Sequence, residues 1–491
     1  MSLTATIKSI QNEMRKDEGV GGDDQRIEQL AWMLFLKIYD AKESEWEFTD
    51  PDYRSLLPDE LKWRNWAADP EGMTGEELLN FVNNRLFPGL QNLETGRKDG
   101  RARIVREVFD GGYNFMRSGQ QLRKVINKLE EIDFNSLVER QHFGDIYEKI
   151  LSDLQSAGNA GEFYTPRAVT QFMADRIDPR PGELLLDPAC GTGGFLTCAI
   201  NHMRQHHVKG VKDERKLQAG LRGVEKKHMP HLLCMTNLLL HDIEDPGFVR
   251  HDNTLARPYT SWGKDERVEV VLTNPPFGGK EADGLEANFP KKYQTRETAD
   301  LFLALIIRLL KPGGRCAIVL PDGTLFGEGV KTRLKEALLT ECNLHTIVRL
   351  PNGVFNPYTG IRTNLLFFTK GTPTKEVWYY EHPYPPGAKS YNKTKPIRFE
   401  EFGPEQAWWG EPEKDGRYSK RVENEQAWRV PVEDIVKNGY NLDIKNPHAA
   451  DDGPGDIEHL LPEYEELLKQ LAETKAKLKA ELHSALTASQ A

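Results

Sequence analysis

The spacing of apolar and polar positions changes twice along this chain. Up to about residue 150 the apolar positions recur at helical spacing. Ile27-Glu28-Gln29-Leu30-Ala31-Trp32-Met33-Leu34-Phe35-Leu36-Lys37-Ile38-Tyr39 reads as a buried helix, and Phe143 to Leu154 as an amphipathic one. From about residue 155 to 440, short apolar runs alternate with helix-length segments, which predicts a parallel sheet with helical crossovers. Predicted strands include Leu221-Arg222-Gly223-Val224, Arg315 to Leu320, His345 to Leu350 and Asn364 to Phe368. The last two lie too close in sequence for a helical crossover, so an antiparallel pair is expected at that edge of the sheet. Asn446 to Asp456 reads as a linker by its Pro, Gly and Asp content. Beyond it Ile457, Leu460, Tyr464, Leu467, Leu471 and Leu478 follow an a/d heptad that Thr474 interrupts. About three heptads is marginal for a self-sufficient coiled coil. The tail is therefore expected to dock on partner helices, with packing on its own domain as the alternative. The expected domains are a helical 1–150, an α/β 151–445, and a linker with docking helix over 446–491.

Chemistry concentrates where predicted strands end. Val270-Val271-Leu272-Thr273 runs into Asn274-Pro275-Pro276-Phe277. Two successive prolines forbid continuation of the strand and stiffen the loop. A stiff loop can hold the Asn274 side-chain oxygen and the Pro275 carbonyl as two acceptors for one exocyclic NH2, with Phe277 as a stacking face. The bland reading is a proline-rich turn that ends a core strand. Upstream, Glu183-Leu184-Leu185-Leu186-Asp187 leads into Pro188-Ala189-Cys190-Gly191-Thr192-Gly193-Gly194-Phe195 and then a helix-competent segment, Leu196 to His206. Glycines 191, 193 and 194 permit a ligand close to the backbone. The turn is neither the GxGxxG fingerprint nor a phosphate loop, because no Gly-Lys-Ser/Thr follows. An acid at the strand tip disfavours polyphosphate and suits a cationic ligand with an ammonium group, such as S-adenosylmethionine. Glu225, ending the second strand, stands where a doubly wound fold binds ribose hydroxyls. The long connection before that strand is assigned to an elongated loop or helix extension over Arg204 to Lys216. Asp252 is positioned to meet the adenine amino group of the cofactor, or is a cap or turn residue. Thr165 is expected to cap a helix that begins near Pro166, whose N-terminus attracts a carboxylate.

Glu162-Phe163-Tyr164-Thr165-Pro166, the Asp187 to Phe195 turn and Asn274-Pro275-Pro276-Phe277, in this order, resemble the DNA amino-methyltransferases. The match resembles most the modification subunits (HsdM) of type I restriction–modification systems and covers nearly the whole chain. Supporting segments are Asn237 to Ile243, Leu310 to Arg315, Val319-Leu320-Pro321, Leu350 to Phe355 and Thr363 to Phe368. The resemblance implies a Rossmann-like S-adenosylmethionine-dependent methyltransferase fold and transfer to adenine N6 in double-stranded DNA. It also implies a separate specificity subunit, a second copy of the chain and, in the full complex, an ATP-dependent translocase/nuclease restriction subunit. It places the cofactor at Glu162, Phe163, Tyr164, Thr165, Asp187, Gly191, Thr192, Gly193, Gly194, Glu225 and Asp252, and the flipped base at Asn274, Pro275, Pro276 and Phe277. Asn-Pro-Pro-aromatic alone is shared with enzymes acting on other amino groups, namely cytosine N4, RNA guanine N2 or a glutamine amide. A scaffold that keeps the fold without turnover is the reading from a different class.

Composition narrows this further. The net charge of −10 is unlike a protein that grips duplex DNA alone, so local basic patches or a partner must contribute. Candidates are Lys226, Lys227, Lys280, Lys291, Lys292 and Arg296, each of which can equally be ordinary solvated surface. The five cysteines lack CxxC or Cys/His metal spacing and read as reduced thiols of a cytoplasmic protein, Cys190 as a packing residue. No metal is expected. No stretch is apolar enough to span a bilayer, and the start Met1-Ser2-Leu3-Thr4 is no signal peptide.

Overall fold

The computed structural model describes residues 3–94, 100–134, 147, 165–277, 284–356, 359–392, 395–413, 416–448 and positions within 461–479. Residues Met1–Lys445 form one compact unit and Asn446–Ala491 a second. The first opens with helices α1 (Leu3–Met14), α2 (Asp23–Thr49), α3 (Gly100–Phe109) and α4 (Gly119–Glu130). The apolar run from Ile27 to Tyr39 makes α2 the spine of this region, with Trp32, Phe35 and Tyr39 all buried. Of the predicted helix from Phe143 to Leu154 only Tyr147 is described; it is helical and buried, and the rest lies outside the described residues.

The α/β part follows with α5 (Arg167–Ile177), β1 (Leu185–Asp187), α6 (Gly194–His206), α7 (Val211–Gly220), β2 (Leu221–Glu225), α8 (His228–Leu240), β3 (Val249–His251) and β4 (Val268–Thr273). It continues with α9 (Thr298–Leu309), β5 (Leu310–Pro321), α10 (Val330–Glu341), β6 (Cys342–Arg349), β7 (Thr363–Lys370), β8 (Glu376–Glu381) and β9 (Ala427–Pro431). Among the described residues the sheet runs β3-β2-β1-β4-β5-β7-β6-β8-β9. Strands β3 to β5 are parallel, and β7 is antiparallel to both neighbours. β1 is buried throughout and β4 at every position but Glu269, as expected of strands inside a parallel sheet.

Two expectations are corrected. β6 and β7 are the antiparallel pair foreseen, but they are not at the edge: β8 pairs parallel to β6, and β9 pairs antiparallel to β8. The long connection before β2 is not a loop or an extension of the preceding helix. α6 ends at His206, and a separate helix, α7, fills the space before β2.

α8 joins the two parts of this unit. Eleven of its residues, from Pro230 to Leu240, are buried, and it packs against α2. Lys42 of α2 pairs with Asp242 just beyond α8 at 2.5 Å, and Tyr147 Oη donates to the Leu233 carbonyl at 3.5 Å. His228 Nε2 lies 2.9 Å from the Val108 carbonyl of α3. In the second unit the described positions from Leu461 to Lys479 are helical, with Leu461, Tyr464, Leu468, Leu471 and Leu478 exposed. Ile457, Leu460 and Leu467 lie outside the described residues. Among the described residues no helix is long and apolar enough to cross a membrane.

Candidate active site

Strand order reverses between β1 and β4, the position where open α/β sheets bind ligands beyond the strand C-termini. Asp187 ends β1 there and is 1 % exposed. Its Oδ1 accepts from Thr273 Oγ1 at 2.7 Å and from the Ala189 N–H at 3.1 Å. Its Oδ2 is buried without a partner. Burial pushes the carboxyl up to about 7, and the nearby Glu225 charge adds to the effect while Thr273 and Ala189 oppose it. Thr273, the last residue of β4, ties the two strand tips together; it adjoins Asn274 in sequence, but its role follows only from the parallel pairing of β1 with β4.

The turn after Asp187 has the conformation its glycines allow. Gly191 and Gly193 have φ of 53° and 84°, and a Cβ on Gly193 would stand 2.8 Å from Cys234 Sγ. α6 starts at Gly194 directly behind the turn. Asn237 of α8 donates Nδ2–H to the Thr192 carbonyl at 3.1 Å, and Thr254 Oγ1 donates to the Pro188 carbonyl at 2.6 Å. Arg167, opening α5, reaches Thr197 Oγ1 at 2.8 Å and so holds α6 from the other side. Asn237 stands in a segment noticed in the sequence, yet nothing there assigned it this carbonyl. Glu225 stands at the tip of β2: its Oε2 accepts from the Gly191 N–H at 3.0 Å and its Oε1 from the Lys227 N–H at 2.7 Å. Asp252 follows β3, is exposed, and donates its N–H to the Glu225 carbonyl at 2.9 Å. Its Oδ1 accepts from the Asn253 N–H at 2.8 Å, so it is also a turn residue. Gly191, Glu225 and Asp252 are thus linked by hydrogen bonds, and Asp187 ends the strand beside Glu225. Cys190 is a buried free thiol; a hydrogen bond with Cys234 and burial raise its pKa, which suits packing rather than attack.

Asn274 leaves β4 half-buried. Its Nδ2 donates to Thr165 Oγ1 at 2.7 Å, and its Oδ1 is buried without a partner. This corrects the expectation that Thr165 caps the following helix. Pro166 occupies the cap position of α5 without a side-chain cap bond, and the Thr165 hydroxyl is engaged by the Asn274 amide instead. Pro275 is buried and Pro276 half-buried. Phe277 is 5 % exposed, its ring 6.2 Å from that of Phe355 at 70°, edge to face. Phe355 lies in the supporting segment Leu350 to Phe355, but its contact with Phe277 is a matter of tertiary packing. Glu162, Phe163, Tyr164 and Lys280 lie outside the described residues. The other basic candidates, Lys226, Lys227, Lys291, Lys292 and Arg296, are all exposed; Lys292 sits 4.5 Å from the Tyr293 ring and Arg296 3.9 Å from Glu286.

Comparison with known proteins identifies the family. Residues 138–453 match the N-6 DNA Methylase family, and residues 3–129 match the HsdM N-terminal domain. The chain is 58 % identical over 487 residues to the type I restriction enzyme EcoEI methylase subunit of Escherichia coli, covering 99 % of both chains. Among solved structures, a modification subunit of a putative type I restriction enzyme from Vibrio vulnificus YJ016 superposes with a TM-score of 0.81 at 41 % identity. That likeness covers 93 % of this chain and 98 % of the other. A chain from a study of complex assembly in a type I R-M system superposes with a TM-score of 0.80 at 37 % identity, covering 98 % and 99 %. The chain belongs to the N-6 DNA methylase family, among the methylase subunits of type I restriction enzymes.

Proposed function

We propose that this chain transfers a methyl group from S-adenosylmethionine to adenine N6 in double-stranded DNA, as the modification subunit of a type I restriction–modification complex. The observation that carries this reading is the pair of unpartnered buried acceptors, Asp187 Oδ2 and Asn274 Oδ1, flanking the point where strand order reverses. The residues present fit the cofactor. A buried carboxylate oxygen with no donor suits an ammonium or sulfonium cation. Glu225 and Asp252, at the tips of β2 and β3, stand where this fold class takes a nucleoside. Thr192 and the glycines at 191, 193 and 194 line the turn, and Glu162, Phe163 and Tyr164 complete the set by their motif, with the Thr165 hydroxyl turned to Asn274. When bound, S-adenosylmethionine supplies an electrophilic methyl on a positive sulfur.

The chain's own residues position the acceptor. Thr165 holds Asn274 Nδ2, which leaves Oδ1 to accept one hydrogen of the base amine, and the Pro275 carbonyl accepts the other. Two acceptors on one NH2 turn its lone pair out of the ring plane. Pro275 and Pro276 keep that geometry stiff, and Phe277 stacks on the base. By likeness to the methylase subunits, sequence reading belongs to a separate specificity subunit and a second copy of this chain shares the complex. Restriction requires an ATP-dependent translocase/nuclease subunit. The organisation proposed is helical 1–150, methyltransferase 151–445 and partner-docking helix within 446–491, in the cytoplasm.

Methyl transfer from labelled S-adenosylmethionine to unmodified genomic DNA tests this, using the chain co-purified with its partners and nucleoside mass spectrometry. N6-methyladenine formed only with the partner present is the expected result. Methylcytosine would overturn the base assignment, and no methylation by an intact complex that binds the cofactor would overturn the reaction.

A further inference from the structure

We infer that Asp178, His202 and His207 form a binding site for a divalent ion of the zinc class, at the end of the sheet opposite the methyl-transfer site. Asp178 ends α5, His202 lies within the last turns of α6, and His207 is the residue at which α6 stops. Nε2 of His202 stands 2.8 Å, and Nε2 of His207 2.5 Å, from one and the same oxygen, Asp178 Oδ1. One donor atom from each residue lies within 4.8 Å of the others. Opened by less than about 1 Å, these three N/O atoms reach the spacing of one face of a tetrahedron whose ligands stand about 2.0–2.2 Å from a zinc ion. Two imidazoles and a carboxylate suit zinc-class ions, whereas Mg2+ and Ca2+ take oxygen ligands. To meet Asp178 as hydrogen-bond donors, both histidines must carry a proton on the nitrogen that faces it. A metal ion takes the place of those protons, which pass to Nδ1 or to solvent, and spreads the three atoms from hydrogen-bond spacing to ligand spacing.

The surroundings point the same way. α5 and α6 both end here, and the partial negative charge of two helix C-termini favours a cation. Asp178 is held in the left-handed region, at φ 50° and ψ 63°. Arg315 fixes it there from outside, donating to the Ile177 carbonyl at 3.0 Å and the Asp178 carbonyl at 3.1 Å while pairing with Glu183. Arg180 stands 3.0 Å from Asp178 Oδ2, so the carboxylate offers the ion Oδ1 alone. The fourth position falls to water; the nearest further imidazole is the exposed His206, its ring 4.6 Å from that of His202. The absence of metal spacing in the sequence does not oppose the site, because its carboxylate comes from a different helix. An ion here ties together the far ends of the two helices whose near ends adjoin Thr165 and the Gly191–Gly194 turn.

The untagged full-length chain, stripped with chelator and dialysed, is titrated with Zn2+ by calorimetry and with Co2+ by visible absorption. One equivalent is expected to bind, Co2+ to develop four-coordinate ligand-field bands, and Zn2+ to raise Tm reversibly. His202→Ala, His207→Ala and Asp178→Asn are each expected to weaken Zn2+ by at least the roughly 10–100-fold that loss of an outer partner costs a metal site. The same variants keep S-adenosylmethionine binding, so failure here is distinguishable from failure of the proposed reaction. Equal Zn2+ affinity in the parent and the His202→Ala/His207→Ala double variant overturns the proposal. Should the variants not fold, a parent chain that takes up no stoichiometric Zn2+ and gains no Tm overturns it as well.

Discussion

The two ends of the parallel sheet treat their aspartates in opposite ways. At the lower end, Asp178 divides its oxygens between two imidazoles and Arg180. Around it Arg315 pairs with Glu183, and Lys311 pairs with Glu269, which also accepts the Leu184 N–H. At the upper end, Asp187 receives both its donors on Oδ1, and its Oδ2 is buried without a partner. Asn274 Oδ1 and Asn237 Oδ1 are likewise buried without partners. Each such atom costs about 1–3 kcal/mol of stability unless something arrives to satisfy it. The lower end engages its polar groups with one another and so holds helices together, whereas the upper end keeps acceptors unengaged, as the proposed methyl-transfer site requires.

The largest effect is expected from Asn274→Ala, which removes one acceptor for the base amine. Methyl transfer should fall by about 10²–10³-fold, the usual cost of losing one preorganised polar contact to the reacting group. Cofactor affinity measured by calorimetry should not change; parallel loss of both would merge the two halves of the site. Asp187→Asn keeps the shape and deletes the charge, and should weaken S-adenosylmethionine binding by roughly 10–100-fold, the worth of a charged hydrogen bond.

The pH dependence of that binding sharpens the point. With the Asp187 carboxyl at about 7, the free protein holds its proton below that pH and must release it to meet a cation. Affinity should be full above pH ~7 and fall by up to about tenfold per unit below it, and Asp187→Asn should flatten the profile. Stability of the free chain runs the other way. This raised carboxyl contributes stability present below its unfolded pKa of about 4 and lost as pH rises through about 7.

Smaller effects separate positioning from binding. Thr165→Val should lower kcat by roughly 5–10-fold through a loosened Asn274, as expected for about 1 kcal/mol, with cofactor affinity intact and Thr165→Ser restoring the rate. A matching loss of cofactor affinity would return Thr165 to the cofactor side. Arg315→Ala, at the lower end, should cost about 1–3 kcal/mol in urea unfolding. Cofactor affinity should then stay within about twofold, because distant sites act independently.

Much of the upper end was legible because its chemistry is local. An apolar run, an acid and a glycine turn stand next to each other in the chain, and so do a strand and its two prolines. The role of Thr165 was misread because a Thr-Pro pair looks alike whether the hydroxyl turns to its own helix or to a loop 109 positions away. The lower end was not legible at all: Asp178 meets His202 and His207 only because α5 and α6 end side by side. β8 and β9 escaped for a related reason. β8 ends on Glu381, but no glycine turn follows it, and only the pairing of β8 to β6 and of β9 to β8 makes the stretch part of the sheet. The edge-on contact of Phe355 with Phe277 depends equally on tertiary packing.

The packing of α2 against α8 sets a timetable for synthesis. α2 leaves the ribosome long before the helix it must meet. Roughly 180 residues separate them, which at about 5–20 residues per second is about 10–40 s of waiting with an apolar face incompletely covered. Partners from the first 134 residues can shelter part of α2, but not the part that α8 will occupy. The nascent chain therefore passes through a stage whose exposed surface is the future seam of the molecule. Slow translation, or truncation before Leu240, favours aggregation over a folded fragment.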